Sequence, residues 1–336
     1  MMQIIHNGKT DLTDFVSGAK LSGDSDKFNE TLSLTMTATN DGRKQAFKIE
    51  EGDTITFKYN GDVRFVGIIF AFDLSSDGSL NVTCYDSNVY LTKSKDSRLF
   101  VNKKASDIVR MIAKDFEIPT ETIADTGYVI PYLRLSKQSL YDMILKALTI
   151  TQKQTGKRFF IGNKNGKLTL TEGASNTRYL FSDSNNLLSA QYSRSIEDTK
   201  TQAKVIGGPK GKQSIVVVKG EEKRRKYGVL QTIEELDEKA SPSQVKQRAN
   251  QLLIEESEVS EQLSIEALGV IEVKSGTPVY VKNEMTSTNG AYYVTSYSHD
   301  FKGGLHTMSL ELTRTYELPD IAINEDELKP EEATEG

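Results

Sequence analysis

Two stretches near opposite ends of the 336-residue chain repeat the same order of strand-like segments and turns. Each contains Asn-Gly between segments rich in β-branched and aromatic residues. Asn-Gly is the strongest short hairpin signal, because both central residues of a type I′ turn need a positive φ. The predicted strands are 55–59 and 63–72 around Asn60-Gly61, and 279–282 and 291–297 around Asn289-Gly290.

The agreement between the two stretches extends to both sides of the hairpins. A Gly and a Thr precede the first strand in each stretch, at 52–54 and 276–278. A second turn then leads into an alternating strand: Asp77-Gly78 before 80–85, and Gly303-Gly304 before 305–313. Short alternating strands separated by turns are typical of sandwiches and barrels, and an internal repeat constrains the whole architecture. The sequence therefore predicts two similar β-barrel domains.

The middle of the chain changes to a helical period. Ser106 is expected to cap a helix whose apolar residues continue to Phe116, and a second helix is expected from about Ser136 until just before Gly156. A hairpin of two strands, 158–162 and 167–171, follows. This pattern predicts a small α+β domain inserted between the two β-barrels.

The predicted fold is mainly β, with two similar β-barrel domains flanking a small α+β domain. One further helix is expected in the second barrel, because Ser241, Pro242 and Gln244 have the order of a capping box. The predicted boundaries are 1–91 for the first barrel, 92–183 for the α+β domain, 184–318 for the second barrel and 319–336 for an acidic, flexible tail.

The charge of the chain argues against a dedicated nucleic-acid binder. The net charge is −5, and residues 324–336 carry six acidic residues against Lys329 alone, so the remaining chain is neutral. A neutral body lacks the electrostatic field that nucleic-acid binding requires. One basic run, 223–226, is expected in a solvated loop between strands, with a channel-lining loop that meets nucleic acid in transit as the alternative.

The sequence offers no recognisable catalytic chemistry. His6, His299 and His306 have no metal-ligand spacing and are expected to play ordinary surface roles. No phosphate-binding or nucleophile-elbow motif is present, so neither a cofactor nor an enzymatic activity is predicted. Cys84 is the only cysteine, and no stretch of the chain is apolar for long enough to predict a membrane-spanning helix.

One segment supports a different function. Residues 106–119 resemble the helical half of LysM-type modules, which bind peptidoglycan sugars. Under this hypothesis Ser106, Asp107 and Arg110 would contact peptidoglycan, and the protein would bind or degrade cell wall. The competing interpretation is a helix that packs on its own domain, because the helical pattern alone creates most of the resemblance.

Five segments, in their order along the chain, resemble the XkdQ/YqbQ-like baseplate hub proteins of contractile phage tails and phage-tail-like particles. They are 105–109, 135–142, 165–168, and 268–269 with 275–279. The resemblance implies a structural protein with no cofactor, which forms a homotrimer. Each subunit would contribute two similar barrels, which would alternate around a pseudo-sixfold ring.

The same resemblance implies what the ring would contact. The ring would join the tail tube protein to the central spike protein, meet other baseplate proteins, and let DNA or a tape-measure protein pass through its channel. Its expected location is the baseplate of a virion or phage-tail-like particle, assembled in the bacterial cytoplasm. The alternative function in this setting is a peptidoglycan-binding or cell-wall-degrading tail protein.

Overall fold

The computed structural model describes residues 1–173, 179–316, 318–319 and 321–330. Its contacts divide the chain into two units, one formed by residues 1–190 and the chain from 264 onward, the other by residues 191–263. The first unit contains strands from both ends of the chain and the helical middle. The predicted second barrel therefore does not form one unit, since most of 191–263 folds separately.

The elements are numbered in chain order. The N-terminal strands are β1 (Met2–His6), β2 (Thr10–Asp11), β3 (Val16–Asp24), β4 (Thr31–Thr37), β5 (Thr54–Tyr59), β6 (Asp62–Leu74) and β7 (Ser79–Tyr85). The middle contains α1 (Val89–Lys93), β8 (Lys95–Lys104), α2 (Ala105–Asp115), β9 (Thr120–Ile123), β10 (Val129–Ser139), α3 (Leu140–Thr155), β11 (Phe159–Lys164) and β12 (Lys167–Glu172). The C-terminal elements are β13 (Tyr179–Ser182), β14 (Leu187–Ser195), β15 (Gln202–Gly207), β16 (Ser214–Lys219), α4 (Glu221–Tyr227), β17 (Gln231–Glu235), α5 (Pro242–Glu256), β18 (Ser260–Leu268), β19 (Pro278–Asn283), β20 (Thr288–Lys302) and β21 (Leu305–Thr313).

The largest sheet joins strands from both ends of the chain, in the order β14-β18-β21-β20-β3-β4-β7-β6-β5-β1-β2. β19 pairs with the beginning of β20, and β13 pairs with β19. Alternation sets the buried face, as in β4, where Leu32, Leu34 and Met36 are buried between outward Thr and Ser residues. In the described residues the ladder does not close into a barrel, because β20 pairs with β3 and merges the two predicted barrels into one sheet.

The α+β middle has its own core beneath α2 and α3. The side chain of Ser139 accepts a hydrogen bond from the backbone N–H of Asp142 at the start of α3, and Gly156 ends the helix with a φ of 73°. The second helix therefore begins at Leu140 rather than at Ser136, because residues up to Ser139 extend β10. Ser106 is not the cap of α2, since the helix begins at Ala105 and Asp107 accepts a hydrogen bond from the N–H of Lys104.

The C-terminal segment differs from the flexible tail expected from its acidic composition. Leu318, Ile321 and Ile323 pack against the core of the α+β middle. Glu327 accepts hydrogen bonds from Lys146 Nζ at 2.6 Å and from Gln138 Nε2 at 2.7 Å. A largely buried ion pair and an apolar stripe therefore attach this segment. Residues 320 and 331–336 of the predicted tail lie outside the described residues.

The second unit is a three-stranded sheet in the order β16-β15-β17, with α5 packed on one face. Its core contains Ala203 and Val205 from β15 and Val245, Ala249 and Leu252 from α5. The predicted capping box at the start of α5 is present, since Ser241 Oγ accepts from the N–H of Gln244 and the Gln244 side chain accepts from the N–H of Ser241. The basic run 223–226 lies in helix α4 and not in a loop between strands.

Candidate functional site

The clearest functional feature is a group of six strands that occurs twice in the largest sheet. This group is called the six-stranded repeat, and its two occurrences are its first and second copy. The first copy has the strand order β3-β4-β7-β6-β5-β1, and the second has the order β14-β18-β21-β20-β19-β13. Corresponding strands follow each other in the same sequence order. One strand differs in direction, because β1 is antiparallel to β5 whereas β13 is parallel to β19.

The long middle strand of each copy changes partner at the same point. Ile68 of β6 pairs with both Thr54 and Tyr85, and Tyr293 of β20 pairs with both Pro278 and Thr313. Two residues later each strand has a β-bulge, at Phe70 in the first copy and at Thr295 in the second. Bulges re-aim a strand and interrupt its pairing. The partner change and the bulge therefore fix one residue alignment between the two copies.

A capped turn enters each copy at equivalent positions. Gly52 donates from its N–H to the C=O of Ile69 at 2.9 Å, and Gly276 donates to the C=O of Val294 at 2.8 Å. Their φ values are 91° and 82°, which glycine adopts without strain. These bonds join residues that the bulge alignment makes equivalent.

A side chain of the following residue caps the N–H two residues before each glycine. Asp53 Oδ2 accepts from the N–H of Glu50 at 2.8 Å, and Thr277 Oγ1 accepts from the N–H of Lys274 at 3.0 Å. Hydrogen bonds from the side chains of Asn7 and His6 also hold the pKa of Asp53 low, at about 2. The Gly-Asp and Gly-Thr pairs of the sequence therefore mark the repeated turn.

Three of the four predicted hairpin turns lie where the sequence predicts them. Asn60 and Gly61 connect β5 to β6 with φ values of 53° and 89°. Asp77 and Gly78 lie in the turn before β7, and the side chain of Asp77 accepts from the N–H of Ser79. Gly303 and Gly304 connect β20 to β21, with φ values of 59° and 79°.

The fourth predicted turn, Asn289-Gly290, is wrong. Both residues lie inside β20, opposite Lys282 and Val281. The chain reverses at 284–287, where Ser287 has a φ of 54° and the side chain of Asn283 accepts from the N–H of Thr286 at 2.9 Å. The reversal therefore relies on a side-chain capped turn, and not on the Asn-Gly dipeptide.

The two copies are joined within the chain by β20 and β3. Their antiparallel register extends from the Ser296–Asp24 pair to the Lys302–Gly18 pair. Aromatic contacts support this joint, since the ring of Phe301 lies 5.1 Å from that of Phe57 and 5.0 Å from that of Tyr59. The joint is therefore both hydrogen-bonded and packed.

Two histidines lie in the same joint, contrary to their expected surface roles. His299 is fully buried; its Nδ1 lies 3.1 Å from Nε2 of His306, and its Nε2 lies 2.8 Å from the C=O of Val273. Burial lowers the pKa of His299 to about 3 and that of His306 to about 4. Both rings are therefore neutral at pH 7. The third histidine, His6, contacts Asp53 at 2.8 Å.

A cavity of about 490 Å³ lies beside the joint and has a polar group of side chains in its wall. Glu30 accepts hydrogen bonds from the hydroxyl of Tyr297 and from Lys274 Nζ, the latter at 2.6 Å. Burial raises the pKa of Tyr297 well above its usual value, with the charge of Glu30 as a further cause. These side chains come from both copies, so the network connects them.

Asp86 extends this network at the end of β7. It is 1% exposed and accepts hydrogen bonds from the N–H groups of Glu30 and Asn88. Burial, followed by the nearby charge of Glu30, raises the pKa of Asp86 well above its usual value. The group contains a carboxyl pair and a phenol, each bonded to protein atoms, and it stabilises the joint.

The three residues of the peptidoglycan hypothesis are poorly placed to act together. Ser106 is fully buried, with its backbone N–H donating to Thr126 Oγ1 at 3.1 Å, so it cannot touch a sugar. Asp107 and Arg110 are partly exposed, but they pair with each other at 3.3 Å. Arg110 also donates to the C=O of Ile123. The apolar side of this helix faces the core, which favours the packing interpretation.

The described residues contain neither a metal-binding cluster nor a membrane-spanning helix, and the thiol of Cys84 is buried. Within the described ranges, no group of three or more His, Cys, Asp or Glu side chains is arranged to hold a metal ion. In the same ranges, no helix is long and apolar enough to cross a membrane. Cys84 is buried, and burial raises the pKa of its thiol to about 12.

Several large apolar side chains are exposed on strands. Leu74 of β6 is 40% exposed, while Leu188 and Tyr192 of β14 are 56% and 38% exposed. In the second unit, the face of the sheet that α5 does not cover carries apolar residues, namely Ile215, Val217 and Ile233. Exposed apolar surface of this kind marks interaction sites. Sequence patterns gave no sign of these surfaces, because alternation predicts burial without showing which strand lies at an edge.

Comparisons with known proteins agree with this architecture. The YQBQ-like family matches residues 20–313. Protein XkdQ of the phage-like element PBSX of Bacillus subtilis is 35% identical over 285 residues, which cover 84% of this chain and 87% of that protein.

Solved structures share the fold at lower identity. The 43 kDa tail protein of prophage MuSo2 from Shewanella oneidensis is 17% identical, with a TM-score of 0.68 over 93% of this chain and 97% of that one. The E. coli c3393 protein, described as a type VI secretion component similar to T4 tail proteins gp27 and gp5, is 8% identical, with a TM-score of 0.54 over 90% of this chain and 74% of that one. By the extent of the family match and the identity to XkdQ, the chain belongs to the YQBQ-like family.

Proposed function

We propose that this chain is the structural hub of the baseplate of a contractile phage tail or phage-tail-like particle. Three copies would form a ring that joins the tail tube to the central spike. The observation that carries the proposal is the six-stranded repeat, because three chains with two copies of the repeat each present six similar surfaces. Such a ring can meet a sixfold tube on one side and a threefold spike on the other.

The family relationship supports a tail function, since XkdQ is a protein of a phage-like element and the fold occurs in a prophage tail protein. The partners of the hub would be the tail tube protein, the central spike protein and other baseplate proteins. DNA or a tape-measure protein would pass through the channel. The hub would act without a cofactor, be assembled in the bacterial cytoplasm, and remain in the virion or tail particle.

The exposed surfaces suit such a role. The apolar sheet face with Ile215, Val217 and Ile233 would be covered by another baseplate protein. Each polar group described at the joint between the copies is bonded to protein atoms, so the joint serves stability. A permanent ring needs interfaces of more than about 2,000 Å², which whole strand edges and sheet faces can supply.

The test is to produce the full chain alone and together with the tube and spike proteins of the same particle, and to measure the masses of the complexes by native mass spectrometry. We expect three copies of the chain in each complex. Electron microscopy of the complex should show a ring with the tube on one side and the spike on the other.

Two outcomes would contradict the proposal. One is a chain that stays monomeric in the presence of both partners. The other is retention or cleavage of purified peptidoglycan by the chain alone, which would favour the cell-wall function instead. A matched variant, Arg110→Ala, tests that second outcome, because peptidoglycan retention through the Asp107–Arg110 site would be lost in it.

A further inference from the structure

We infer that neighbouring copies of this chain join by antiparallel pairing of the open edge of β6 in one copy with β14 of the next. The partner of this surface is therefore a second copy of the same chain. The inference rests on the proposed ring and specifies the strands and the register that would build it.

The joint inside the chain provides the pattern for this pairing. β20 lies between two neighbours along its second half, with β21 on one side and β3 on the other. β6 is the equivalent of β20, and its second half pairs with β7 on one side. Among the residues that the structure describes, no strand pairs with the other side of that half. β14 is the equivalent of β3 and ends the sheet, with β18 as its one neighbour in the described chain.

The backbone of β6 presents hydrogen-bonding groups at this open edge. The N–H of Ser75 donates to the C=O of Ser79 at 2.9 Å, so Ser75 faces β7. Successive residues of a strand point their N–H and C=O groups to opposite sides. The backbone groups of Leu74 and Phe72 therefore point to the open edge, and those of Asp73 point to β7.

Burial distinguishes the filled joint from the open edges. In the filled joint His299 pairs with Leu21, and both are 0% exposed. The bulge alignment makes Leu74 the equivalent of His299, and Leu74 is 40% exposed. Tyr192 occupies the position of Leu21 and is 38% exposed. Apolar residues are thus uncovered on β6 and β14 at the positions that β20 and β3 bury against each other.

The register follows from transferring the internal one. β3 and β14 both contain 9 residues, and aligning them end to end places Ala190 on Ala19 and Tyr192 on Leu21. Ala19 and Leu21 are the core-facing residues of β3, and this alignment matches them with Ala190 and Tyr192, which are also two residues apart on one face of β14. The resulting pairs between copies are Ala71 with Ser195, Phe72 with Arg194, Asp73 with Ser193, and Leu74 with Tyr192.

This contact is head-to-tail, since β6 and β14 are different surfaces of the chain. Head-to-tail contacts form closed rings when the rotation between copies closes. The contact also removes two open strand edges, which are otherwise sites of aggregation. In the proposed ring of three chains, this contact would occur three times and would alternate with the three β20–β3 joints inside the chains.

The test is site-specific disulfide cross-linking of the full chain. Asp73 and Ser193 would face each other in a pair without direct hydrogen bonds, where Cα atoms are about 4.5 Å apart and a disulfide can form. We expect the Asp73→Cys/Ser193→Cys variant to give covalent dimers and trimers on oxidation, seen on non-reducing gels. The matched control, Asp73→Cys/Ser189→Cys, shifts one cysteine by four residues, about 13 Å along the strand, and should remain uncross-linked. Buried Cys84 is present in both variants.

A second variant tests the edge without new cysteines. Leu74→Pro removes one N–H at the open edge and leaves the bonds to β7 intact, so trimer association should weaken at least about tenfold in sedimentation equilibrium. Ser76→Pro, in the neighbouring turn, is the control and should leave association unchanged.

The outcomes separate this inference from the proposed function. Equal cross-linking of both cysteine variants, or no cross-linking in trimers detected by native mass spectrometry, overturns the strand pairing and leaves the hub in place. Absence of trimers of the unmodified chain with its tube and spike partners overturns the hub as well.

Discussion

The two copies of the six-stranded repeat have the same backbone hydrogen-bond pattern but different side chains. Both change partner in the middle strand, place a bulge two residues later and enter through a capped glycine turn. Their cores differ, since Phe57 and Phe65 of the first repeat correspond to Val281 and Gly290 of the second repeat. The positions of an aromatic ring and a glycine are exchanged between the two repeats. Phe65 lies beside Gly67 in the first repeat, and Gly290 lies beside Tyr292 in the second.

The difference shows which parts of the unit are constrained. Backbone hydrogen bonds fix the turn, the bulge and the strand order, so these persist while the core is rebuilt around them. Packing needs filled volume rather than fixed residues, and an exchange of ring and glycine between neighbouring positions keeps that volume. The neighbouring strands also differ, because β20 of the second repeat is paired with β3 of the same chain, whereas β6 of the first repeat has an open edge.

The largest loss of stability is expected at the core position whose side chain differs in size between the two repeats. Phe57 and Val281 are equivalent and both are 0% exposed. Phe57→Ala should lower the free energy of unfolding by about 4 kcal/mol, and Val281→Ala by about 2 kcal/mol, because more buried volume is lost in the first. Urea unfolding measures both. Equal losses would show that the two cores are packed to different quality.

The exchanged glycines give a sharper contrast. A Cβ on Gly67 would lie 2.3 Å from the C=O oxygen of Tyr85 and 2.4 Å from the Phe65 ring, whereas on Gly290 its nearest neighbour would be Tyr292 at 3.7 Å. Gly67→Ala should therefore cost about 3 kcal/mol, and Gly290→Ala should stay within about 0.5 kcal/mol. Thermal and urea unfolding measure the stability of both variants. A strongly destabilised Gly290→Ala variant would mean that the second repeat is packed as tightly around Gly290 as the first repeat is around Gly67.

Mild acid should destabilise the chain through the two buried histidines of the second six-stranded repeat, His299 and His306. The pKa of His299 lies at about 3, below its value in an unfolded chain, so protons bind the unfolded chain first. Stability is then complete above about pH 6.5 and falls as the pH drops below it, by about 2 kcal/mol at pH 5 for one such histidine. Unfolding curves from pH 7.5 to 5 measure the decline.

His306, with a pKa of about 4, contributes a similar decline, so His299→Leu, which introduces the residue found at the equivalent Leu74, should remove about half of the total. Leu74→His is the control when both variants are measured as separate monomeric chains, because a histidine exposed at this position titrates near its usual pKa and should leave the acid sensitivity unchanged. Asp86 has a raised pKa and the opposite sign of pH dependence, but it is the same in each of these proteins. An unchanged slope in His299→Leu would assign the acid sensitivity to other groups.

The smallest effect is expected at the two Asn-Gly sites. Asn60 has a φ of 53°, which a β-branched residue adopts at a cost of about 1 kcal/mol. Asn289 is extended within β20, so Asn289→Thr should change stability by less than about 0.5 kcal/mol while Asn60→Thr costs about 1 kcal/mol. Midpoints of thermal unfolding resolve this difference, and similar values for the two variants would contradict the assignment of one site to a turn and the other to a strand.

Local signals in the sequence predicted local structure well. The capping box at Ser241 and the turn at Asn60-Gly61 depend on neighbouring residues and lie where they were expected. Asn289-Gly290 shows the limit, since the same dipeptide fits a strand when Asn283 supplies the turn nearby. The β20–β3 pairing was not predictable, because alternation shows which face of a strand is buried but not which strand lies beside it. The burial of His299 and the attachment of the C-terminal segment depend on the same non-local contacts.

The pairing of β20 with β3 also sets a schedule for synthesis. β3 leaves the ribosome well before β20, since Glu30 and Tyr297, which bond across the joint, are 267 residues apart in sequence. Contacts of this separation form slowly, because a long loop must close before they stabilise the chain. The edge of β3 therefore stays exposed until β20 has been synthesised. A product truncated before β20 would keep that edge open and would be prone to pair wrongly or aggregate, which restricts ring building to chains that contain β20.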